Sequence, residues 1–185
     1  HGLPTRFPEA VLAEAAAIPE TIDPAEIARR EDWREREGFT IDPEDARDFD
    51  DAIHVVTLPE SDGGGWELAV HIADVSHFVR SGSALDREAK TRGNSVYLAD
   101  RVLPMLPEKL SNGVCSLKPG VDRLTYAVIL RFDDTGRQRA VRFTPAVIRS
   151  HRRYTYEEAY ARMRYSEAEV RALDPAEASL VTHLK

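Results

Sequence analysis

The sequence predicts a mixed α/β chain of the α+β kind, in which β-hairpins and sheet pack against helices. Two pairs of β-rich runs carry that expectation, Asp51–Leu58 with Trp66–Ile72 and Leu124–Phe132 with Gln138–Ile148, each joined by a short polar turn. Helix-start signatures lie on both sides of these pairs. The resulting order of helices, hairpin, helix, loop, hairpin and helices implies pairing that is at least partly antiparallel.

Taken in order, Phe7–Ala17 (FPEAVLAEAAA) reads as a short helix with Pro8 at its tolerated first turn. Asp23-Pro24 then offers an N-cap followed by proline at N1, opening a helix that runs to Arg30. The charge-rich EDWREREG run after it reads as solvated, ending at Gly38. The turn Ser61-Asp62-Gly63-Gly64-Gly65 closes the first hairpin, and Asp133-Asp134-Thr135-Gly136 the second. Ser83 with Asp86 resembles a capping box for a helix through about Thr91. Gly93–Val121 is rich in Pro, Gly, Ser and Asn, and structureless stretches of that length are uncommon unless functional. Thr155 with Glu158 and Ser166 with Glu169 read as further capping boxes, and Asp174-Pro175 starts a last helix through Leu184.

The 185 residues, 42% apolar and 31% charged, suit one soluble domain or a sizeable piece of a larger one. The single Cys115 excludes an internal disulfide framework and a multi-cysteine zinc site, and reads as a small buried apolar residue. No apolar run approaches the roughly 18 residues of a membrane helix, and no signal-peptide pattern opens the chain, so no membrane association and a cytoplasmic location are expected. A start at His1 points to a piece of something longer. The net charge of −7 argues, taken alone, against a surface coated in basic charge for nucleic acid.

That charge is concentrated. Asp42, Glu44, Asp45, Asp48, Asp50 and Asp51 are answered within their own stretch only by Arg47, a net −5 in ten residues. Carboxylates so dense repel one another; they sit either on a solvated loop or around a cation. Hard divalent cations take oxygen ligands, and Asp42, Asp48, Asp50 and Asp51 offer four. The spacing does not fit an EF-hand, because Ala46, Arg47 and Ile53 fall where oxygen, Gly and Glu are required. Nor does it fit an aspartyl-phosphate nucleophile at the end of an apolar strand, since Glu-Asp-Ala-Arg precedes Asp48. A multi-carboxylate Mg²⁺ site suited to phosphoryl chemistry survives that comparison, beside the solvated loop. His71, Asp74 and His77 have ligand-like spacing, but His71 ends an apolar strand and reads as a hydrogen-bonded core histidine, with Asp74 capping the turn.

TIDPEDARDFDDAI (Thr40 to Ile53) resembles the signature of the ribonuclease II and ribonuclease R family of 3′-to-5′ exoribonucleases. The likeness continues through ELAVHIADVSHFV, the long block from Leu85 to Leu124, and VIRSHRRYTYEEA. HGLPTRFP is similar to the linker preceding the catalytic domain in ribonuclease R-like members, so the resemblance covers Gly2 to Ala159 in order. It implies a partial RNB-type catalytic domain, with residues 1–38 a helical linker and 39–185 the amino-terminal part of the domain. It further implies hydrolysis of single-stranded RNA from the 3′ end to nucleoside 5′-monophosphates. The expected cofactor is Mg²⁺, with Mn²⁺ an option, held by Asp42, Asp48, Asp50 and Asp51 in a two-metal scheme. Asp45 is additional to that quartet and reads chiefly as a loop residue.

Tyr97 matches the family tyrosine that stacks on a base near the RNA 3′ end, and Tyr156 one near the terminal nucleotide, with Tyr154 a competing register. Ala99 stands where the family usually has proline. Arg149, Arg152 and Arg153 form the clear basic cluster, read as solvated surface or as contacts to RNA phosphates. The later family motif that supplies a transition-state arginine is absent, as are the flanking OB-fold modules expected in a full-length member. Two other functions stay open: a catalytically incomplete RNA-binding fragment, and a metal-dependent phosphohydrolase acting on small nucleotides.

Overall fold

The computed structural model describes Gly2 and residues 4–184; His1 and Leu3 of the HGLPTRFP stretch, and Lys185, lie outside the described residues. A seven-stranded sheet organises them. Its strands are β1 (Glu31–Asp32), β2 (Phe39–Asp42), β3 (Asp51–Thr57), β4 (Trp66–Ala73) and, after a separate short ribbon of β5 (Val96–Tyr97) and β6 (Val102–Leu103), β7 (Asp122–Phe132), β8 (Gln138–Arg149) and β9 (Arg152–Thr155). The order across the sheet is β1-β8-β7-β4-β3-β2-β9. The two expected hairpins, β3–β4 and β7–β8, are antiparallel and share the β4–β7 ladder, whereas the short edge strands β1 and β9 pair in parallel.

The turn of the first hairpin needs its last glycine. Gly65 has φ +81°, and a Cβ there would lie 2.0 Å from the Phe132 carbonyl oxygen on the neighbouring strand.

Helices follow their caps. α1 (Glu9–Ala17) begins after Pro8, and α2 (Pro24–Ile27) is capped by Asp23, whose carboxylate accepts from the Ala25 N–H at 2.8 Å. α3 (Val75–Phe78) is a single turn capped by Asp74, and α4 (Ala84–Arg92) starts at Ser83 as its capping pair predicts. Both expected capping boxes form, on α5 (Tyr156–Met163) and α6 (Glu167–Arg171), and α7 (Pro175–Leu184) closes the chain. The Gly93–Val121 segment is not wholly irregular: it contains the β5–β6 ribbon and a wide helical turn, Leu110–Val114, kinked at Gly113.

One side of the sheet is lined by small residues, Ala52, Ala69, Ala73, Ala127 and Ala146, which lets large groups approach the backbone closely. The large group is Trp33. The sequence places it in a solvated charged run; in the structure it is 1% exposed. Its ring stands edge-on to His54 and His71, at 5.2 and 5.0 Å between centroids, and Arg36 covers its face at 3.9 Å. Charged neighbours concealed it: β1 pairs with β8 far along the chain, where Glu31 meets Arg142, while Asp32 pairs locally with Arg34. Val11 and Ala15 of α1 join the same core as Trp33, so no break in packing marks residue 38. A second, smaller core holds Phe39, Tyr154, Ala159, Leu180 and Leu184.

Trp33→Ala removes a fully buried indole from a site its rigid alanine neighbours cannot refill. The expected loss of stability is about 3–5 kcal/mol, measured by urea unfolding. A loss under about 1 kcal/mol would return the segment to the surface.

Candidate active site

The four aspartates occupy the connection between two neighbouring strands. β2 ends at Asp42 and β3 begins at Asp51, and the antiparallel pairing of Phe39 with Ile53 brings those two ends to the same edge. Between them the chain turns at Pro43, whose carbonyl accepts from the Ala46 N–H at 3.1 Å. The loop is then fixed from behind. The Ser116 hydroxyl donates to the Arg47 carbonyl at 2.8 Å and accepts from the Phe49 N–H at 3.1 Å. Leu117 N–H bonds the Phe49 carbonyl and Ala73 N–H the Asp50 carbonyl, each at 2.9 Å. Alternation about Phe49, whose ring packs toward the core, turns the neighbouring Asp48 and Asp50 the other way, where both line a cleft.

That cleft has a volume of about 580 Å³ and is walled by Asp42, Asp48, Asp50, Tyr97, Arg101 and Asn112, among others. Asp45 also reaches it, whereas Asp51 does not line it. Tyr97 is 66% exposed on β5, and its hydroxyl donates to Asp48 Oδ2 at 2.9 Å. Several aromatics are exposed, and Tyr97 is the one that lines the acidic cleft. Much of the wall comes from the Gly93–Val121 segment that the sequence marks as too long to be idle.

The electrostatics are those of crowded acids. Asp42 is 8% exposed; burial first, then the nearby Asp51 and Asp48, hold its carboxyl above the usual carboxylate range, and the Thr40 side chain and then Arg153 only partly offset this. Asp42 Oδ2 has no hydrogen-bond partner. Asp50 is raised in the same direction, first by desolvation in the cleft and then by Asp48, Asp51 and Asp42. The Tyr97 hydroxyl is pushed up to about 12, by desolvation and by the carboxylate it bonds, so it stays a donor. Among the described residues no three Asp, Glu, His or Cys side chains form a ready-made metal cage. The donor set nonetheless suits a hard cation: it is all oxygen, and it includes a buried carboxylate oxygen without a partner.

Residues 30–183 match the family model described as the RNB domain. The chain belongs to the RNB family. It is 51% identical over 161 residues to a protein named ribonuclease R from Aquifex aeolicus, an overlap of 87% of this chain and 22% of that one. Ribonuclease R from Acidithiobacillus ferrooxidans is 47% identical over 185 residues, 100% of this chain and 40% of its own. The fold agrees with Mycoplasma genitalium RNase R, solved in complex with double-stranded RNA, at a TM-score of 0.81 and 32% identity, covering 98% of this chain and 32% of that one. This RNB chain thus spans well under half the length of the relatives it matches.

Other residues singled out in the RNB sequence are dispersed. Arg149 donates to Asp122 Oδ1 at 2.8 Å, beside Arg34. Arg152 lies 3.7 Å from Glu177 and over the Tyr154 ring. Arg153 is the one turned toward the acidic loop, where it bonds the Pro43 carbonyl and covers Phe49. The three therefore form no single patch, and none lines the cleft. The tyrosine register resolves: Tyr154 is fully buried against Phe39, and Tyr156 is 56% exposed on α5, though away from the cleft walls. His71 is a core histidine near Thr125 Oγ1 at 3.2 Å, with burial lowering its pKa to about 4. Asp74 caps α3 and pairs with Arg30 at 2.7 Å. Cys115 is buried. The residue that sequence reasoning misses is Ser116: nothing in its local pattern signals that its hydroxyl holds a loop 67 positions away.

A carboxyl raised in the folded state binds its proton more readily there than in the unfolded chain, so it stabilises at low pH and that stability is lost as pH rises through the folded-state pKa. Without divalent cations, Asp50→Asn is therefore expected to raise the melting temperature at pH 7. The gain should shrink as pH falls below Asp50's raised pKa, where wild-type Asp50 is itself neutral. Thermal melts in EDTA across pH 4 to 8 check it, and a pH-independent difference would contradict the assignment.

Proposed function

We propose that this chain carries the carboxylate side of the active centre of a 3′-to-5′ exoribonuclease that hydrolyses single-stranded RNA to nucleoside 5′-monophosphates. The observation that supports it most directly is the pairing of Tyr97 with Asp48 at the mouth of a cleft whose floor holds Asp42 and Asp50. Membership of the RNB family and the ribonuclease R relatives support the same reading. Residues 39–185 would form the amino-terminal part of the catalytic domain. The full-length protein would be cytoplasmic and would add OB-fold modules.

Asp42, Asp48, Asp50 and Asp51 would hold Mg²⁺, or Mn²⁺ in its place; the first three line the cleft, and Asp51 is an exposed residue next to Asp50. When bound, the metal supplies charge neutralisation and Lewis-acid polarisation at the phosphoryl group. The chain's own residues do the rest. Tyr97 presents a ring face to a base, which accepts any base and suits degradation without sequence preference. Its hydrogen bond to Asp48 fixes the ring relative to the carboxylates, so that stacking sets where the scissile phosphate lies.

The chain's span of 22–40% of the relatives cited favours a second reading, that it binds RNA but needs the rest of the protein for turnover. A time course on 3′- and 5′-labelled single-stranded RNA, with Mg²⁺ and then with EDTA, distinguishes the two when run on this chain and on the full-length protein. The expected result for the full-length protein is Mg²⁺-dependent release of 5′-monophosphates from the 3′ end. Asp50→Asn should stop it while leaving RNA binding intact. Tyr97→Ala should weaken binding by about 1–3 kcal/mol. No Mg²⁺-dependent trimming by the full-length protein would overturn the proposal.

A further inference from the structure

The acidic loop has to be held against its own repulsion, and the groups that hold it trace back to one buried arginine. Ser116 is fully buried, and its hydroxyl both donates to the Arg47 carbonyl and accepts from the Phe49 N–H. Those two bonds bracket Asp48, and the Leu117 N–H bond to the Phe49 carbonyl extends the grip to the residue before Asp50. Ser116 is itself fixed by Arg123 of β7. The Arg123 guanidinium donates to the carbonyls of Ser116 at 2.8 Å, Gly113 at 3.1 Å and Asp122 at 3.0 Å. No carboxylate forms an ion pair with Arg123 among the described residues, although burial disfavours its charge. A buried guanidinium spent on three carbonyls is costly unless the geometry it imposes is useful. β7, an interior strand between β8 and β4, anchors it, with Arg123 opposite Ile148 of β8.

We infer that Ser116 and Arg123 are positioning residues: they transmit the rigidity of β7 to the loop that aims Asp48 and Asp50 into the cleft. The inference rests on the proposed metal-dependent nuclease reading for its purpose, but the clasp itself is a property of the metal-free chain. A hydroxyl is required because it must donate and accept at once; alanine does neither. A merely space-filling serine would tolerate alanine with no local consequence.

The test uses Ser116→Ala, with Ser116→Thr as the variant that keeps the hydroxyl. Amide hydrogen exchange of the metal-free chain should accelerate about 10-fold or more at Phe49 and Leu117 in the alanine variant. The amides of the β7–β8 ladder should be unchanged, and the threonine variant should restore protection. Mn²⁺ titration followed by electron paramagnetic resonance should show affinity lowered about 10-fold or more by alanine, the usual effect of removing a group that orients metal ligands. Unchanged exchange at Phe49 overturns the clasp whatever the metal does, and so does acceleration spread equally through the sheet. Local acceleration with no Mn²⁺ binding by wild type supports the clasp and counts instead against the metal-dependent reading.

Discussion

Mutual repulsion among Asp42, Asp48, Asp50 and Asp51 is the constraint around which the rest of the chain is arranged. At separations of a few ångströms, unit charges near a protein surface repel by a few kcal/mol per pair, enough to straighten an unsupported loop. The fold counters this from two directions. The paired ends of β2 and β3 bring the loop's two roots to one sheet edge. From behind, Ser116, Leu117 and Ala73 take up the backbone groups of Arg47, Phe49 and Asp50, leaving the carboxylates to face outward. Burial first, and the neighbouring carboxylates second, hold the Asp42 and Asp50 carboxyls above the usual range.

The sheet can serve as that anchor because one of its faces is packed unusually close. Alanines on β3, β4, β7 and β8 let Trp33 lie against the strands, and the indole in turn walls in His54 and His71. Burial lowers both imidazole pKa values and keeps the rings neutral near pH 7, so this core carries no histidine charge. Packing and electrostatics therefore act together: the small side chains admit the tryptophan, and the burial of His54 and His71 beside it disfavours their charged forms.

What was legible in the sequence was what short-range chemistry decides. The hairpins follow from β-rich runs flanking Gly-rich or Asp-rich turns, and the caps at Ser83, Thr155 and Ser166 follow from hydroxyls three residues ahead of acids. The acidic quartet was legible as a cluster, and its motif as a family resemblance. Long-range pairing was not. β1, β2 and β9 are too short to show a period, and each exists because a partner distant in sequence completes it. Trp33 read as exposed because its neighbours are charged, yet Glu31 is matched across the sheet by Arg142 and Asp32 locally by Arg34. The arginines near residue 150 read as one basic cluster because they are adjacent in sequence. A kink between β8 and β9 sends them to Asp122, Glu177 and the Pro43 carbonyl instead.

The distribution of ion pairs also bears on how an acidic chain would suit the anionic substrate proposed for it. Elsewhere acids are met by arginines: Glu26 and Asp74 by Arg30, Glu31 by Arg142, Glu67 by Arg131, and Asp122 by Arg34 and Arg149. Among the described residues, no comparable ion pair engages Asp42, Asp48, Asp50 or Asp51. The net charge is thus less a property of the surface than a deficit confined to one loop, in a protein that neutralises its other buried acids locally. Such a deficit is costly to maintain, and divalent cations would remove most of it while adding the positive potential that a phosphodiester needs. The charge that counts against nucleic acid when averaged over 185 residues favours it once assigned to ten.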